Sequence, residues 1–453
     1  MKKEAYHFIG IGGIGMSALA RILLQRGYPV SGSDQTASPI VEGLKSEGGE
    51  IFIGHAASNV SKPATIICST AVVKGNLEYE EAKKRGYPIW HRSDMLRKLM
   101  EGSLPLLIAG THGKTTTSSI LAHVMTEGGL APSFAVGGIV SSLGTNGRSG
   151  KGEYFVAEAD ESDGTFLKYS GFGGIITNID NDHLDYWEND EKLEEGFCQF
   201  AKQIESPEHL FICIDDERIE RLKLPGITYG FNEKADLFIL NFKQEGWKTL
   251  FDLSFRGKEY IDIELPLIGG HNVLNAAAVF GLCLTLEMPE EAIRRGLITF
   301  RGVGRRAEKK GEHGQIAIYD DYAHHPTEIF ATLRAVKSAV GKRRLIVAFQ
   351  PHRFTRTKDC MELFGEVFDT ANELVITDIY SAGEKPIEGV TTDALLEKIR
   401  KRCPVEPRYF PRPQLVEGLR GMLKEGDVLL TMGAGDITKV GPELLTKLSQ
   451  ADA

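Results

Sequence analysis

Short apolar runs alternate along the chain with segments in which apolar residues recur every three or four positions. The run from Leu104 to Ala109 is typical of a strand that is buried on both faces. The segment after it places Ile120, Leu121 and Val124 on one side of a helix. Strands and helices that alternate in this way predict parallel sheets covered by helices, so we predict an α/β fold.

The pattern repeats in three regions, and the length of 453 residues is enough for about three domains. We predict a Rossmann-like N-terminal domain over residues 1–102, a P-loop ATPase-type central domain over residues 103–312 and a Rossmann-like C-terminal domain over residues 313–453. Short strands between residues 205 and 265 extend the central sheet in this interpretation, and Glu308 to Gln315 is a charged linker.

The composition is that of an ordinary globular enzyme, with 25% charged and 42% hydrophobic residues. The net charge of -9 and the lack of a basic block argue against nucleic acid as a partner. No apolar run approaches the length of a membrane span, about 20 residues, so we expect no membrane insertion. We expect a monomer or a weak homodimer.

Two features predict a cytoplasmic protein. The chain opens with Met1-Lys2-Lys3-Glu4 and runs straight into a strand, so we expect no signal peptide. Its six cysteines are scattered without a Cys-x-x-Cys pair, as free thiols in a reducing compartment would be.

A glycine-rich turn follows the first strand and leads into a helix. The turn, Gly10-Ile11-Gly12-Gly13-Ile14-Gly15, matches the dinucleotide-binding fingerprint, in which a diphosphate lies at a helix N-terminus. Asp34 follows the second strand, about 20 positions beyond the glycines, where it either accepts a hydrogen bond from a ribose hydroxyl or caps a turn. The motif predicts a diphosphate but does not identify the nucleotide.

A second glycine turn has the layout of a triphosphate cradle between a strand and a helix. Its sequence is Gly110-Thr111-His112-Gly113-Lys114-Thr115-Thr116-Thr117, and its glycines let backbone N–H groups turn toward phosphate oxygens. In this layout Lys114 reaches the β- and γ-phosphates, and the Thr115 hydroxyl holds Mg²⁺. A standard P-loop has glycine five residues before Gly113, where this chain has Ile108, so ordinary GTPases and kinases fit poorly.

Acidic residues crowd the ends of two predicted strands. The first strand ends in Glu158-Ala159-Asp160-Glu161-Ser162-Asp163, and the second is followed by Asn178-Ile179-Asp180-Asn181-Asp182-His183. Because like charges repel, we expect a cation to relieve these carboxylates. Parallel strands place ligands at their carboxyl ends, so Thr115, Glu158 and His183 are the candidate metal ligands. Mg²⁺ prefers oxygen ligands, and His183 is alternatively a hydrogen-bonded loop histidine.

Two further segments carry polar groups whose role the sequence leaves open. Serine and glycine crowd residues 141 to 152, which suits either a mobile substrate loop or a plain flexible loop. His271 and Asn275 lie four residues apart on one face of an alanine-rich helix. They either hydrogen-bond a purine or, in the case of His271, cap the helix.

In the third region, each predicted strand ends in polar or glycine residues and leads to a helix. The first strand ends in Asp320-Asp321-Tyr322-Ala323-His324, and the second in Gln350-Pro351-His352-Arg353-Phe354-Thr355-Arg356. This pattern predicts a second doubly wound sheet with a functional rim. Arg353 and Arg356 either grip a carboxylate in bidentate fashion or are two surface arginines.

Five of these motifs, taken together and in this order, resemble the Mur ligases. They are Gly-Thr-His-Gly-Lys-Thr-Thr-Thr from residue 110, Glu-Ala-Asp-Glu-Ser-Asp from residue 158, Thr-Asn-Ile-Asp-Asn-Asp-His from residue 177, Gly-Gly-His-Asn-Val-Leu-Asn from residue 269 and Asp-Asp-Tyr-Ala-His-His-Pro-Thr-Glu from residue 320. The resemblance extends from residue 7 to near residue 445 and is strongest to the branch of the family that adds L-alanine.

The resemblance implies an ATP-dependent ligase of peptidoglycan precursor synthesis that joins L-alanine to the lactyl carboxylate of UDP-N-acetylmuramate, with ATP and Mg²⁺ as cofactors. The first domain would bind the UDP-sugar, the central domain ATP and Mg²⁺, and the last domain would close over both. The carboxylate would attack the γ-phosphate of ATP, and the amine of L-alanine would then attack the acyl phosphate. Domain closure would keep water away from that intermediate.

The resemblance also implies roles for single residues. The metal site would consist of Thr115, Glu158 and His183. Lys114 would act in catalysis with Glu158 and His183, and His324 is the candidate for the residue that takes the amine proton. The substrate contacts would come from Gly12, Gly13, Ile14, Asp34, Thr145, Asn146, Ser162, Arg353 and Arg356. The contacts to ATP would come from Gly110, Thr111, His112, Gly113, Lys114, Thr115, Thr116, Asn178, His271, Asn275, Arg305 or Arg306, Asp321 and Tyr322.

Two positions depart from family patterns. The family usually has Phe after the two arginines, Arg305 and Arg306, where this chain has Ala307, so the choice between the arginines is open. Later-step Mur ligases carry a modifiable lysine where this chain has Cys198. The alanine-adding members also lack that lysine, which favours the first step.

Three alternatives are to be weighed against this interpretation. A recycling ligase that attaches a whole tripeptide shares the Gly-Thr-His-Gly-Lys-Thr turn, but the stretch from Gln350 to Arg356 resembles the alanine-adding branch. The first glycine motif alone fits an NAD-dependent dehydrogenase, in which the P-loop would have no role. A nucleotide-binding regulatory module without catalysis would release no phosphate when substrates are added.

Overall fold

The computed structural model describes residues 3–72, 75–182 and 184–451. Its first region contains β1 (Tyr6–Ile9), α1 (Ile14–Gln25), β2 (Val30–Asp34), α2 (Pro39–Ser46), β3 (Glu50–Ile53), β4 (Thr65–Cys68), α3 (Leu77–Arg85), β5 (Ile89–His91) and α4 (Arg92–Met100). The five strands pair in parallel in the order β3-β2-β1-β4-β5, which is the order of a Rossmann-like sheet. The glycine turn that leads into α1 therefore lies where the strand order reverses.

The central region is built on a ten-stranded sheet. Its elements are β6 (Leu104–Ala109), α5 (Lys114–Glu127), β7 (Ser133–Val140), β8 (Thr145–Arg148), β9 (Tyr154–Glu158), β10 (Gly173–Ile176), α6 (Leu184–Trp187), α7 (Asp190–Lys202), β11 (Leu210–Cys213), α8 (Glu217–Leu222), β12 (Ile227–Gly230), β13 (Leu237–Glu245), β14 (Lys248–Phe255), β15 (Lys258–Leu265), α9 (Gly270–Thr285) and α10 (Glu290–Thr299). The strand order is β15-β14-β13-β12-β11-β10-β6-β9-β7-β8. Because β10, β6 and β9 are parallel neighbours, the P-loop and both acidic clusters share one edge, as predicted.

The third region is a six-stranded sheet. Its elements are β16 (Glu308–His313), β17 (Ile316–Asp321), α11 (Pro326–Val340), β18 (Leu345–Phe349), α12 (Phe354–Asp359), β19 (Glu373–Ile376), α13 (Thr392–Arg402), β20 (Pro407–Tyr409), α14 (Leu415–Met422), β21 (Val428–Met432) and α15 (Val440–Ala451). The order is β16-β17-β21-β18-β19-β20, and every pairing except that of β16 with β17 is parallel. The predicted α/β fold with three sheet-centred regions is confirmed.

The chain divides into two compact units. The first comprises residues 1–241, 251–264 and 274–301, and the second comprises residues 242–250, 265–273 and 302–453. In the first unit one apolar cluster joins residues of both sheets, for example Phe8 and Phe155. In the second unit Val347 and Ile346 belong to different apolar clusters, so the six-stranded sheet is covered on both faces.

Two expectations about irregular segments are wrong. The serine- and glycine-rich stretch of residues 141–152 contains the strand β8, because β7 pairs with it in antiparallel fashion and supplies hydrogen bonds that its composition does not suggest. The charged segment from Glu308 to Gln315 contains β16 rather than a linker. Charged residues suit this strand because it forms the edge of its sheet.

A helix that spans a membrane needs about 20 predominantly apolar residues, and the helices of the described chain do not meet this requirement. None of those within residues 3–72, 75–182 and 184–451 has both the length and the apolar character needed to cross a bilayer.

Candidate active site

The P-loop begins where β6 ends and closes into the first turn of α5. Gly110 has φ of 131° and Gly113 has φ of 86°, backbone conformations that favour glycine. A β-carbon at Gly110 would clash with the hydroxyl of Thr177, and one at Gly113 would lie 3.0 Å from Oδ1 of Asn275. Thr116 is buried behind the loop, on α5. The two glycines therefore let the backbone turn in a space that side chains would fill, with the helix N-terminus facing the loop.

The P-loop backbone is held in place by the segment that follows β10. Oδ1 of Asn178 accepts a hydrogen bond from the N–H of His112 at 2.8 Å, and the Thr177 hydroxyl donates to the carbonyl oxygen of His112 at 2.6 Å. The N–H of Asp180 donates to Oγ1 of Thr111 at 2.9 Å, and Nε2 of His112 lies 3.0 Å from Oδ2 of Asp180. The predicted ATP residues Thr111, His112 and Asn178 thus form one hydrogen-bonded group.

The side chain of Lys114 is buried among carboxylates. Its Nζ donates to the carbonyl oxygen of Gly110 at 2.6 Å and to Oε2 of Glu161 at 2.7 Å. Burial opposes the charged form, but the carboxylates of Glu161 and Asp160 raise the pKa of Lys114 above its ordinary value. Arg92 donates to Oδ2 of Asp160 at 2.8 Å. Side-chain cations therefore relieve two of the carboxylates for which the sequence predicts a bound cation.

The pKa of Asp160 shows the same balance. Burial alone would raise it, but the nearby charges of Lys114 and Arg92 hold the pKa of Asp160 well below its usual range. The backbone N–H of Ser162 also donates to Oδ1 of Asp160, at 3.2 Å. Asp160 is therefore charged at neutral pH.

Two of the predicted metal ligands are neighbours. Oγ1 of Thr115 lies 3.3 Å from Oε2 of Glu158. The other oxygen of Glu158, Oε1, accepts hydrogen bonds from the Ser118 hydroxyl at 3.1 Å and from the N–H of Gly137 at 2.5 Å. The hydroxyl and the carboxylate provide oxygen donors, as Mg²⁺ prefers. The third predicted ligand, His183, lies outside the described residues.

The glycine-rich turn before α1 is fixed by Asp34. The N–H of Gly12 donates to Oδ2 of Asp34 at 2.9 Å, and a β-carbon at Gly12 would lie 2.8 Å from the same oxygen. The other oxygen of Asp34 accepts from the N–H of Thr36 at 3.3 Å. Asp34 therefore holds turns, which is one of its two predicted roles. Gly13 is the residue that caps α1, and Ile14, 37% exposed, begins the helix.

The two predicted substrate residues on β8 differ in their surroundings. Asn146 is fully buried, and its amide bonds to the first turn of α1 and to Arg21. The Thr145 hydroxyl accepts a hydrogen bond from Nη1 of Arg21 at 3.1 Å. Both side chains thus contact the helix that follows the glycine-rich turn.

In the second unit, two arginines and a tyrosine meet after β17. The guanidinium carbons of Arg305 and Arg306 lie 4.8 and 5.2 Å from the centre of the Tyr322 ring, within cation–π distance. Nη2 of Arg305 donates to the carbonyl oxygen of Gly433 at 2.6 Å, whereas Nη1 of Arg306 is 3.9 Å from Oε1 of Glu328. The two arginines are therefore held by different groups.

Asp321, the residue before Tyr322, is buried and accepts two backbone hydrogen bonds. The N–H groups of Ala307 and Ala323 each donate to it at 2.7 Å. Burial raises the pKa of Asp321 to about 6, against the opposing charge of Arg306. Ala307 has φ of 45°, so the residue at the position where the family usually has Phe adopts a left-handed backbone.

Histidines and a buried arginine form a second cluster, at the ends of β17 and β18. The rings of His324 and His352 have centroids 5.8 Å apart, and Nη1 of Arg356 lies 3.4 Å from Nδ1 of His352. Burial, together with the charges of His324 and Arg356, lowers the pKa of His352 to about 3. His352 is therefore neutral at pH 7.

Arg353 and Arg356 lie in different environments. Arg356 is only 9% exposed. The side chain of Arg353 is 44% exposed, and its Nε lies 3.9 Å from Oε1 of Glu384. Arg353 also has φ of 69°, which an L-residue rarely adopts. The structure therefore separates the two arginines into a buried and an exposed one.

The predicted purine residues on α9 also have different neighbours. Oδ1 of Asn275 faces Gly113 in the first unit, as described above. In the second unit, burial and the charge of Arg306 lower the pKa of His271 to about 4. His271 is therefore a neutral group at pH 7, able to accept a hydrogen bond.

Three residues at the P-loop edge were not singled out from the sequence. Ser118 follows Thr115 by three residues, so helical spacing alone was enough to place it on the same face of α5. Gly137 and Arg92 come from separate strands and helices, and local sequence gives no sign that they meet Glu158 and Asp160.

Three profiles of the Mur ligases match the chain. The profile described as Mur ligase family, catalytic domain, matches residues 5–103. The Mur ligase middle domain matches residues 108–283, and the profile described as Mur ligase, glutamate ligase domain, matches residues 305–435.

Individual relatives agree with the profiles. The UDP-N-acetylmuramate--L-alanine ligase of Protochlamydia amoebophila is 47% identical over 444 residues, which cover 98% of each chain. The crystal structure of the UDP-N-acetylmuramate-alanine ligase of Thermotoga maritima has a TM-score of 0.86 at 29% identity and 99% coverage of each chain. A murein peptide ligase of Psychrobacter arcticus shares the fold, with a TM-score of 0.74 at 22% identity and 98% coverage of each chain. The chain belongs to the Mur ligase family.

Proposed function

We propose that this protein is an ATP-dependent ligase that joins L-alanine to the lactyl carboxylate of UDP-N-acetylmuramate. The observation that supports this most directly is the P-loop edge, where buried Lys114 lies beside the paired oxygens of Thr115 and Glu158. The substrates are those in the name of the relative that is 47% identical along nearly the whole chain. The products would be UDP-N-acetylmuramoyl-L-alanine, ADP and phosphate.

The residues of the P-loop edge fit a nucleoside triphosphate and Mg²⁺. Gly110 and Gly113 have φ of 131° and 86°, so glycines shape the cradle and let backbone N–H groups turn toward phosphate oxygens. Thr115 and Glu158 offer the oxygen atoms that Mg²⁺ prefers, and we propose His183 as a third ligand. When bound, the ion would supply positive charge at the phosphate oxygens.

Lys114 is the residue that we assign to the transferring phosphoryl group. Its Nζ donates to the carbonyl oxygen of Gly110 and to Oε2 of Glu161, and its side chain is 14% exposed, so its position is fixed. A lysine held in this way stabilises charge that develops on the γ-phosphate as the substrate carboxylate attacks it. Thr111, His112, Thr116 and Asn178 would hold the loop and its nucleotide.

We assign the UDP diphosphate to the turn before α1. Gly12 and Gly13 precede the helix N-terminus, and Ile14 is part of its first turn. Because Asp34 accepts the N–H of Gly12, its main role in this assignment is to hold the turn rather than to touch the sugar. Ser162, whose N–H bonds to Asp160, is assigned to the substrate side of the acidic cluster.

The second unit would provide the amino-acid side. Arg356 is buried beside His352 and is our candidate for the alanine carboxylate, with Arg353 as the exposed alternative. His324, whose Nδ1 lies 2.9 Å from the carbonyl oxygen of Tyr322, is our candidate for the acceptor of the amine proton. The groups assigned to ATP in this unit are His271, Arg305 or Arg306, Asp321 and Tyr322.

Three further proposals concern the boundary of the third domain, the location of the protein and its assembly. We place the start of the third domain before β16 rather than at residue 313, because Glu308 to His313 pair with β17. None of the six cysteines, all of which lie in the described part of the chain, forms a disulfide, and this supports a cytoplasmic location. A monomer or weak homodimer is retained as the proposed assembly.

The test is phosphate release with UDP-N-acetylmuramate and ATP, supplied in turn with L-alanine, glycine, L-serine and the recycling tripeptide. We expect release with L-alanine to exceed that with each other acceptor. Preference for the tripeptide would identify the recycling ligase instead. No release with any acceptor would favour a regulatory module, and bound NAD would favour the dehydrogenase.

Oxygen labelling tests the chemistry. If the lactyl carboxylate carries heavy oxygen, attack on the γ-phosphate transfers one labelled oxygen to inorganic phosphate, and ADP is the co-product. Attack on the α-phosphate would place the label in AMP and release pyrophosphate. We expect label in phosphate, and label in AMP would overturn the acyl phosphate while leaving the family assignment intact.

A further inference from the structure

The strand β8 lies unusually close to helix α1. A β-carbon at Gly147 would lie 2.6 Å from the carbonyl oxygen of Ala18 and 2.7 Å from its Cα. A larger residue at position 147 would therefore push the strand away from the helix. The close approach brings the neighbouring side chain, Asn146, into hydrogen-bond distance of the helix backbone.

Asn146 bonds to the beginning of α1. Its Nδ2 donates to the carbonyl oxygen of Ile14 at 2.5 Å and to Oγ of Ser17 at 2.9 Å. The Ser17 hydroxyl itself donates to the carbonyl oxygen of Ile14 at 2.9 Å. Asn146 is fully buried, so these bonds do not compete with water.

Arg21 fixes the orientation of the Asn146 amide. Its Nη1 donates to Oδ1 of Asn146 at 2.6 Å, and because arginine only donates, the oxygen of the amide must face it. The Nδ2 group is then left facing Ile14. Arg21 is held in turn by Oε1 of Glu47, 2.7 Å from its Nε.

The hydrogen bond from Asn146 reaches the residue directly after the turn that precedes α1. Ile14 is the first residue of the helix and follows Gly12 and Gly13 directly. We propose that Asn146, oriented by Arg21, is a positioning residue that fixes this turn for the diphosphate of the UDP-sugar. The inference rests on the proposed function, but it gives Asn146 an indirect role in place of the direct contact predicted from the sequence.

The hairpin formed by β7 and β8 also contacts the proposed metal site. In the partner strand β7, the N–H of Gly137 donates to Oε1 of Glu158 at 2.5 Å, and β7 pairs with β8 through Ala135 and Gly147. The hairpin therefore contacts the glycine-rich turn through one strand and the P-loop edge through the other. Its rigidity would set the spacing between the two binding sites.

The test compares Asn146→Ala with Arg26→Ala. Arg26 donates to Oγ of Ser149 at 3.2 Å, so it joins the same helix and hairpin, but at the other end of the 12-residue helix. That end is about 18 Å from the turn at 1.5 Å per residue. Titration calorimetry of the full chain with UDP-N-acetylmuramate, without ATP, measures binding of the UDP-sugar separately from binding of the nucleotide.

We expect Asn146→Ala to weaken UDP-N-acetylmuramate binding about tenfold, the usual effect of losing a buried hydrogen-bond partner. Arg26→Ala should leave that affinity unchanged, although it lowers the melting temperature. In turnover, Asn146→Ala should raise the KM for UDP-N-acetylmuramate and leave the KM for L-alanine unchanged. Arg21→Lys, which keeps the charge but loses the fork that orients the amide, should act in the same direction by about threefold.

The outcomes distinguish an error in the proposed function from an error in the positioning role of Asn146. If the wild-type chain does not bind UDP-N-acetylmuramate, both the proposed function and this inference are wrong. If the wild type binds and Asn146→Ala binds equally well, only the positioning role is wrong. Equal weakening by Asn146→Ala and Arg26→Ala would mean that the contact merely docks the helix, which also overturns the role. Should Asn146→Ala fail to fold, an unchanged affinity in Arg21→Lys decides against it.

Discussion

The two sheet edges that bear the proposed chemistry differ in the groups that hold their charged side chains. At the edge of the central sheet, which we call the acidic rim, the carboxylates Asp160, Glu161 and Asp180 are each bonded to a basic side chain. At the edge of the C-terminal sheet, the basic rim, Arg305 bonds mainly to backbone carbonyl oxygens. Arg356 of the same rim lies against a neutral histidine.

The difference indicates what each rim is prepared to bind. In the acidic rim, these three carboxylates are paired with basic side chains of the protein, so a bound nucleotide would exchange one set of ionic contacts for another. In the basic rim, backbone carbonyl oxygens and a neutral ring hold arginines that also lie near the carboxylates of Asp320 and Glu328. Guanidinium groups held in this way suit an anion such as the alanine carboxylate or a phosphate group. The predictions below test this contrast.

The largest effect is expected for Lys114→Ala. Loss of the charge aimed at the γ-phosphate should slow ADP formation by about a thousandfold. The structure adds a cost in stability, because Glu161 would be left buried without its partner, which costs about 3–5 kcal/mol. Steady-state rates and thermal melts measure the two effects.

The double variant Lys114→Met with Glu161→Gln separates catalysis from stability. It removes both charges of the buried pair, so it should regain stability while activity stays low. Near-native turnover in either folded variant would contradict the assignment of Lys114 to the phosphoryl group.

Arg356→Ala should have the next largest effect. Loss of a buried, charge-assisted contact to the alanine carboxylate should cost about 2–5 kcal/mol and raise the KM for L-alanine accordingly. Arg353→Ala tests the exposed alternative and should raise this KM less, because the Arg353 side chain is 44% exposed and screened by water. If the KM for the UDP-sugar rises in parallel, Arg356 has a structural role or acts in domain closure.

Replacement of Glu158 tests the metal site. Glu158→Gln should raise the Mg²⁺ concentration for half-maximal rate at least about tenfold, and His183→Ala should act in the same direction. The control is Glu153→Gln, which changes an exposed residue directly before β9. An unchanged Mg²⁺ requirement in both site variants would place the metal elsewhere.

The smallest expected effect concerns the free energy of unfolding at acidic pH and tests the neutral histidine of the basic rim. The pKa of His352 is lowered to about 3 in the folded chain and is about 6.5 when unfolded. Below pH 6.5 the unfolded chain therefore binds a proton that the folded chain does not, so stability falls as the pH drops. Between pH 7 and pH 5 this amounts to about 2 kcal/mol.

His352→Gln should remove that loss, so that urea unfolding of the variant shows a smaller decrease from pH 7 to pH 5 than the wild type. Asp321, whose pKa is raised to about 6, contributes with the opposite sign, because its protonated form is favoured by folding. It is present in both proteins and cancels in the comparison. Identical pH profiles would show that His352 does not titrate in this way.

Several features of the site were predictable because they depend on local rules. The nearness of Thr115 and Glu158 follows from the rule that parallel strands place their carboxyl ends at one edge, and the structure has these atoms 3.3 Å apart. The glycine turn before α1 was equally readable from its spacing. The partners of Asp34 and Asn146 were not, because both bond to segments remote in sequence.

The sequence by itself determined the α/β class, the two glycine turns and the order of the motifs, because periodicity and turn chemistry act over a few residues. Only the tertiary structure decided which cations balance the acidic cluster, that β8 is a strand and that Asn146 bonds to α1. The strand β8 pairs with residues 5 to 14 positions before it, whereas the side-chain contacts join residues that are 47 to 132 positions apart. Their energies depend on burial and on the orientation of both partners, which no local pattern of residues specifies.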